Sequence, residues 1–147
     1  MLLERSGPGG PAFELAAVAG GGSLALDDFA GRPLLLHFFA TWCEPCVAEL
    51  AALDRLAARG GIAILAVDVG EVPARVAGFL EAHPVGFPVV LDEDRAVARG
   101  WGVVALPSSF VLDARLDMRG FVEGDLPWDD PGVAAKLDQL INATGGT

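Results

Sequence analysis

Cys43 and Cys46 are the only thiols in the chain, and Glu44 and Pro45 separate them. A Cys-x-x-Cys pair where an apolar run gives way to a helical pattern can close into a disulfide and open again. The unpaired N–H groups and dipole of a helix N-terminus favour a thiolate, the species that attacks disulfides. The implied chemistry is dithiol–disulfide exchange, with the two sulfurs as the whole redox centre and no further cofactor. Cys43, at the very start of the helix, is the candidate nucleophile, and Cys46, one turn inside it, the resolving thiol. A purely structural pair is poorly motivated, because closing so short a loop stabilises by only about 2 kcal/mol. Half a zinc site would need two more ligands. Only His37 and His83 are available, so no metal is expected.

The residues around the thiols suggest how protons are handled. Glu44 sets a negative charge beside the sulfurs, which opposes the helix dipole, raises the thiol pKa and pushes the centre toward reducing power. The alternative is an exposed acid that the dipole welcomes. Pro45 suits the first helical turn, where no intrahelical hydrogen bond is lost. At 100° per residue, Cys46, Leu50, Leu53 and Ala57 form one stripe, with Glu49 at its edge beside Leu56 and with Ala48, Ala51, Ala52 and Arg55 opposite. A carboxylate at that margin has a raised pKa and can exchange protons with the thiols; otherwise it is a half-exposed, salt-bridged glutamate. His37, six residues before Cys43, lies in a buried run. It either relays a proton to Cys46 or is simply a hydrogen-bonded core histidine. Trp42 is an apolar wall beside the thiols, unless packing alone accounts for it.

The elements that must hold these residues read as follows. Residues 1–11, rich in Gly and Pro, form a flexible lead-in, and one domain fills 12–147. Phe13–Val18 and Ser23–Leu26 make a hairpin around Gly20-Gly21-Gly22, and Asp27–Gly31 a capped turn. Pro33–Phe39 and Ile62–Val69 are continuous apolar runs, as expected of strands buried on both faces. Between them a helix runs from about Cys43 to Ala58, ended by Gly60-Gly61. Pro73 opens a second helix that ends near His83. Pro88–Leu91 is a strand, Asp94–Trp101 a short helix, and Phe110–Leu112 with Met118–Val122 an antiparallel pair. A last helix covers Asp130–Asn142. The expected fold is α/β, a central mixed parallel and antiparallel sheet flanked by helices, with an N-terminal β-hairpin.

Composition sets limits. A length of 147 residues suffices for a hydrophobic core without a staple, and the formal charge is −10. Such a surface repels phosphate backbones, which argues against nucleic acid as a partner. Apolar residues make up 52% of the chain, with no run long enough to span a membrane. Met1–Arg5 lacks the features of a signal peptide. Either the protein is cytoplasmic, or a leader or anchor has been removed.

The pattern resembles the thioredoxin superfamily, in its extracytoplasmic thiol–disulfide reductase branch (the ResA, TlpA and CcmG type). The matching stretches are Leu34–Cys46, ending in Trp-Cys-Glu-Pro-Cys, then Ala66–Glu71, Phe87–Asp92 and Ala105–Asp113. They follow the family's order across most of residues 12–143. The resemblance implies a thioredoxin-like fold and a monomer that keeps substrate cysteines reduced outside the cytoplasm, with secretion or a membrane anchor in full-length form as the family's usual setting. Apocytochrome c CxxCH segments are the best-known targets, and a membrane-bound thiol donor of the CcdA/DsbD type supplies electrons. By the same resemblance, Pro107 is the cis-proline facing the CxxC, and Leu106 lines a groove where substrate pairs as an added strand. Glu49 matches the acid three residues after the second cysteine. His37 departs from the pattern, which places an acid or amide there. Two other functions remain to be weighed. A thiol peroxidase needs an Arg poised over one cysteine, and none is near Cys43 in sequence. A copper-handling module would use the same thiols, but no methionine lies beside them.

Overall fold

The computed structural model describes residues 1–142. Its strands are β1 (Leu3–Gly7), β2 (Glu14–Ala16), β3 (Ser23–Ala25), β4 (Leu34–Phe39), β5 (Ala63–Val69), β6 (Val89–Asp92), β7 (Ser108–Leu112) and β8 (Met118–Glu123). The helices are α1 (Glu44–Arg59), α2 (Pro73–Ala82), α3 (Ala96–Gly100) and α4 (Pro131–Asn142), and a 3-10 turn spans Leu26–Phe29. The expected domain end at residue 147 lies outside the described residues.

Six strands form one sheet in the order β1-β8-β7-β4-β5-β6. β4, β5 and β6 are mutually parallel, while β7, β8 and β1 run antiparallel to their neighbours. Every residue of β4 and β5 is buried, because helices or loops cover both faces. Right-handed crossovers from β4 to β5 and from β5 to β6 place α1 and α2 on the same face. There Cys46, Leu50, Leu53 and Leu56 of α1, Val76 of α2 and Leu137 and Leu140 of α4 pack on Leu35, Phe39, Ile64 and Ala66. The opposite face gathers Leu36, Phe38, Leu65 and Val67 under Leu26, Ala98 and Trp101, with Phe13 and Leu24 of the hairpin segment alongside. The hairpin β2–β3 is a separate two-stranded sheet, tied to β6 by the Val18 N–H donating to the Val89 carbonyl at 2.9 Å.

The flexible lead-in expected for residues 1–11 is corrected by the structure. Leu3 pairs with Phe121 and Glu4 with Gly120, so β1 covers the hydrogen-bonding edge that β8 would otherwise present to solvent. Leu2 is buried, and the Arg5 guanidinium lies 4.4 Å from the centre of the Phe121 ring. Further on, the Trp101 indole donates to the Pro11 carbonyl at 2.9 Å. A Cβ at Gly10 would run into that indole ring, so glycine there permits close packing rather than freedom. A second correction concerns α1, where Ala52 is buried with Leu53 instead of facing solvent. The strand β7 begins two residues before the expected Phe110, taking in Ser108 and Ser109.

Candidate active site

The site is built where β4 ends and α1 begins. Cys43 is the N-cap of α1, in extended backbone, and its sulfur accepts the Cys46 N–H at 3.4 Å. A thiol sulfur thus occupies the position where a helix offers unpaired donors. Cys43 and Cys46 are joined by a disulfide, with their Cα atoms 5.2 Å apart, inside the range such bridges favour. Cys46 is fully buried, while Cys43 retains 5% of its surface. The first cysteine is therefore the more accessible of the two. Glu44 and Pro45 are exposed in the first turn.

Glu49 does not lie at a half-exposed margin: it is only 3% exposed. Its Oε2 accepts the Trp128 indole N–H at 2.5 Å and the Leu126 N–H at 3.0 Å. Burial raises its pKa to about 7; the bonds from Leu126 and Trp128 pull the other way, and the Asp125 charge adds to the rise. Its Oε1 has no hydrogen-bond partner and faces the His37 Nε2 at 3.5 Å. His37 is fully buried in β4. Its Nδ1 lies 2.8 Å from the Ser109 hydroxyl on β7, and burial lowers its pKa to about 3.

On the other side of the helix start, the Thr41 N–H and hydroxyl donate to Glu71 at 2.7 and 2.6 Å, and Arg75 donates to Glu71 at 3.0 Å. Glu71 thereby pins the segment that leads into Trp42-Cys43. Burial alone would raise its pKa, but hydrogen bonds from Asp68 and Thr41 and the Arg75 charge hold it below the usual carboxylate range. Asp68 is fully buried, and neither of its oxygens receives a hydrogen bond. Burial, then the bond to Glu71 and that residue's charge, push its pKa up to about 9. In its acid form Asp68 has a proton that it can donate to the ionised Glu71.

The peptide bond between Leu106 and Pro107 is cis, and Pro107 is buried immediately before β7. Trp42 is 61% exposed; it forms a surface wall rather than a buried one. It shares with Val69, Arg95, Arg99, Val104 and Leu106 a groove of about 380 Å³. The structure thus brings Cys43 and Cys46 together with the start of α1, and pairs Glu49 with His37. Trp42 and Leu106 meet in the neighbouring groove. Trp128, Ser109, Asp68 and Glu71 escaped sequence reasoning. The one available signal was that a buried indole N–H needs an acceptor. Among the described residues no group of three or more His, Cys, Asp or Glu could hold a metal ion, and no helix is long and apolar enough to cross a membrane.

A mixed sheet with a disulfide at a strand-to-helix junction and a cis-proline before the next antiparallel strand defines a thioredoxin-like protein with a two-cysteine centre. The chain belongs to the AhpC/TSA family, whose pattern it matches over residues 7–120. It is 33% identical over 108 residues to the thiol-disulfide oxidoreductase ResA of Geobacillus thermodenitrificans, covering 71% of this chain and 62% of that protein. Against ResA of Bacillus subtilis it is 38% identical over 96 residues, covering 63% and 54%. The chain therefore spans less than two thirds of the length of these relatives. Among solved structures, one described as a DsbE thiol:disulfide interchange protein from Chlorobium tepidum superposes with a TM-score of 0.84 at 25% identity, over 92% of this chain and 97% of its own. StoA of Bacillus subtilis matches in fold, with a TM-score of 0.71 at 20% identity over 92% and 98% of the two chains.

Proposed function

We propose that this protein is a thiol–disulfide oxidoreductase acting as a reductase of protein disulfides. The observation that carries the reading is the Cys43–Cys46 disulfide at the head of α1, with a buried, protonatable Glu49 one turn below it. In the reduced protein the Cys43 thiolate attacks a substrate disulfide. It forms a mixed disulfide and displaces one substrate sulfur, which takes a proton. Cys46 then gives its proton to Glu49, attacks the Cys43 sulfur, and releases the second substrate thiol. Two electrons pass to the substrate, and the protein is left with its own disulfide. An acid titrating near 7 suits that proton, since it is ionised often enough to accept and returns the proton readily. Glu44 tunes the Cys43 thiol by its charge. Trp42, Pro45, Leu106 and Pro107 present the surface on which an extended substrate segment lies.

The relatives named ResA and the fold shared with a DsbE-type protein support an extracytoplasmic setting. The substrate expected there is an apocytochrome c CxxCH segment, re-reduction coming from a membrane-bound dithiol donor of the CcdA/DsbD type. The test is trapping. The Cys46→Ser variant cannot resolve, so a substrate stays linked to Cys43 and is identified by mass spectrometry. A reduction potential near −270 mV or lower is expected, against about −120 mV for a DsbA-type oxidant. A potential at the oxidant end, or a pair that dithiothreitol cannot open, overturns the proposal. Rapid thiol consumption by stoichiometric peroxide would replace it with a peroxidase, and tight stoichiometric Cu(I) binding with a copper module.

A further inference from the structure

Two buried polar atoms at this site lack a partner and face each other: His37 Nε2 and Glu49 Oε1, 3.5 Å apart. Every other polar atom of the two side chains is engaged. Glu49 Oε2 takes two N–H donors, and His37 Nδ1 meets the Ser109 hydroxyl. A distance of 3.5 Å is the outer edge of a hydrogen bond, and a shift of about 0.5 Å closes it. Leaving both atoms unpaired in a dry interior is costly. Resting on the redox reading above, we propose that His37 is a positioning residue that holds the Glu49 carboxyl in both of its protonation states, switching ring tautomer with Ser109 as its reversible partner.

In each arrangement both atoms of the facing pair, Glu49 Oε1 and His37 Nε2, have a partner. In the acid form the Glu49 hydroxyl at Oε1 donates to His37 Nε2, and the Nδ1–H donates to Ser109 Oγ. In the carboxylate form the Nε2–H donates to Oε1, and the Ser109 hydroxyl turns to donate to Nδ1. The ring is neutral throughout, as its burial requires. Net, one proton leaves Glu49 for a cysteine thiolate or for solvent, and the ring proton moves from Nδ1 to Nε2, so the neutral ring carries one N–H in both arrangements. A serine can take either role; an alanine could take neither. An ordinary core histidine would instead keep one tautomer, fixed by one constant acceptor. The Asp125 charge acts on Glu49 from beyond β8. Asp68 on β5 is two positions past Ala66, the register partner of His37, with Glu71 just after the strand, and Cys43 and Cys46 at the head of α1 titrate only when reduced. Trp128 before α4 and Ser109 on β7 are polar partners that do not titrate.

The test is made on the oxidised protein by NMR, following the Glu49 carboxyl carbon and the His37 ring nitrogens against pH. The expected result is a change of His37 from Nδ1–H to Nε2–H with the same midpoint as Glu49. In His37→Phe, which keeps the ring but leaves Oε1 without a donor, the Glu49 midpoint rises by about one pH unit, a tenfold fall in the carboxylate-to-acid ratio at fixed pH. His37→Gln, whose amide can donate or accept near the Nε2 position, restores most of it. A tautomer that stays fixed through the Glu49 titration, or a midpoint that is the same in the wild type and both variants, overturns the proposal. The wild-type measurement decides alone if His37→Phe does not fold. Reduction and alkylation of the thiols, read separately, distinguish the two claims. A fixed tautomer in a working reductase sinks only this inference, and an inert disulfide sinks the redox reading on which it rests.

Discussion

Replacing Asp68 by Asn should stabilise the protein at neutral pH, although it deletes a buried acid next to the thiol-bearing loop. Asp68 is fully buried, and neither of its oxygens has a hydrogen-bond partner. Its pKa rises from 3.8 to about 9, through burial first and Glu71 second. In the unfolded chain the group loses its proton near pH 4, whereas in the folded protein it keeps it to about pH 9. Between those limits the folded state binds the extra proton, so stability falls as pH rises. The limiting slope is about 1.4 kcal/mol per pH unit. From pH 4 to 7 the ceiling is therefore about 4 kcal/mol, and relaxation around the site cuts it to about 2. Asparagine is neutral at every pH, has the same shape, and can donate to Glu71 through its amide. The variant should gain about 2 kcal/mol at pH 7, roughly 4–8 °C in Tm for a chain of this length, and almost nothing near pH 4. Glu71 works with the opposite sign. Its lowered pKa contributes stability above about pH 4.5 that is lost on further acidification, so the comparison is best made from pH 5 to 8. Urea unfolding of the oxidised wild type and Asp68→Asn across that range is the assay. Parallel pH slopes in the two proteins, or a variant less stable at pH 7, would refute the reasoning.

Trp128→Phe removes the indole donor from Glu49 Oε2. It should cost about 1–3 kcal/mol and raise the Glu49 midpoint from its place at about 7, measured by carboxyl NMR. Glu71→Gln gives up an acceptor shared by Thr41 and Arg75. It should lower stability by about 2 kcal/mol and slow the reaction of Cys43 with a disulfide substrate; unchanged exchange kinetics would show that the loop needs no such anchor. Gly10→Ala forces a methyl into the Trp101 ring and should cost about 1–3 kcal/mol, read as a fall in the urea midpoint. Removing residues 1–8 should uncover the β8 edge and a tendency to associate, read by light scattering against concentration.

Much of this architecture could be read along the chain because the buried strands announce themselves. Leu34–Phe39 and Ala63–Val69 are continuous apolar runs, and the pair Cys43/Cys46 marks the junction between the first of them and a helix. The missed features have a common physical cause, since each depends on a partner far off in sequence. Ser108 and Ser109 carry little strand propensity, yet they lie in register with Phe38 and His37, and pairing decides their conformation. Leu3–Gly7 has no alternation and becomes a strand only because β8 needs an edge partner. Trp128 meets Glu49 across 79 positions, which local periodicity cannot register. Helix geometry put Glu49 at the rim of the buried stripe, but the segment holding Leu126 and Trp128 folds over that rim and makes it interior. Ala52 was misplaced for a related reason: a helix covered on more than one side buries more than a single stripe.

The formal charge of −10 overstates what surrounds the thiols. Near pH 7 burial keeps Asp68 protonated and raises Glu49 to about 7, so two of the three buried carboxyls near the head of α1 carry less than a full charge. Glu71 is ionised, but Thr41 and Arg75 engage it. That leaves the exposed Glu44 as the acid immediately beside the sulfurs, screened by solvent. On the proposed reading, a thiolate on Cys43 would form against the N-terminus of α1 with Glu44 as its exposed acidic neighbour, although the protein as a whole is acidic. The arrangement separates two demands that a single carboxylate would set in conflict. On the redox reading proposed above, Glu49 would store the protons needed for exchange, while the field at the attacking sulfur would be left to the helix and to Glu44. Glu44→Gln should consequently change the rate at which reduced Cys43 attacks a disulfide only slightly, read by stopped-flow exchange, whereas a fixed carboxylate buried beside the sulfur would slow it far more.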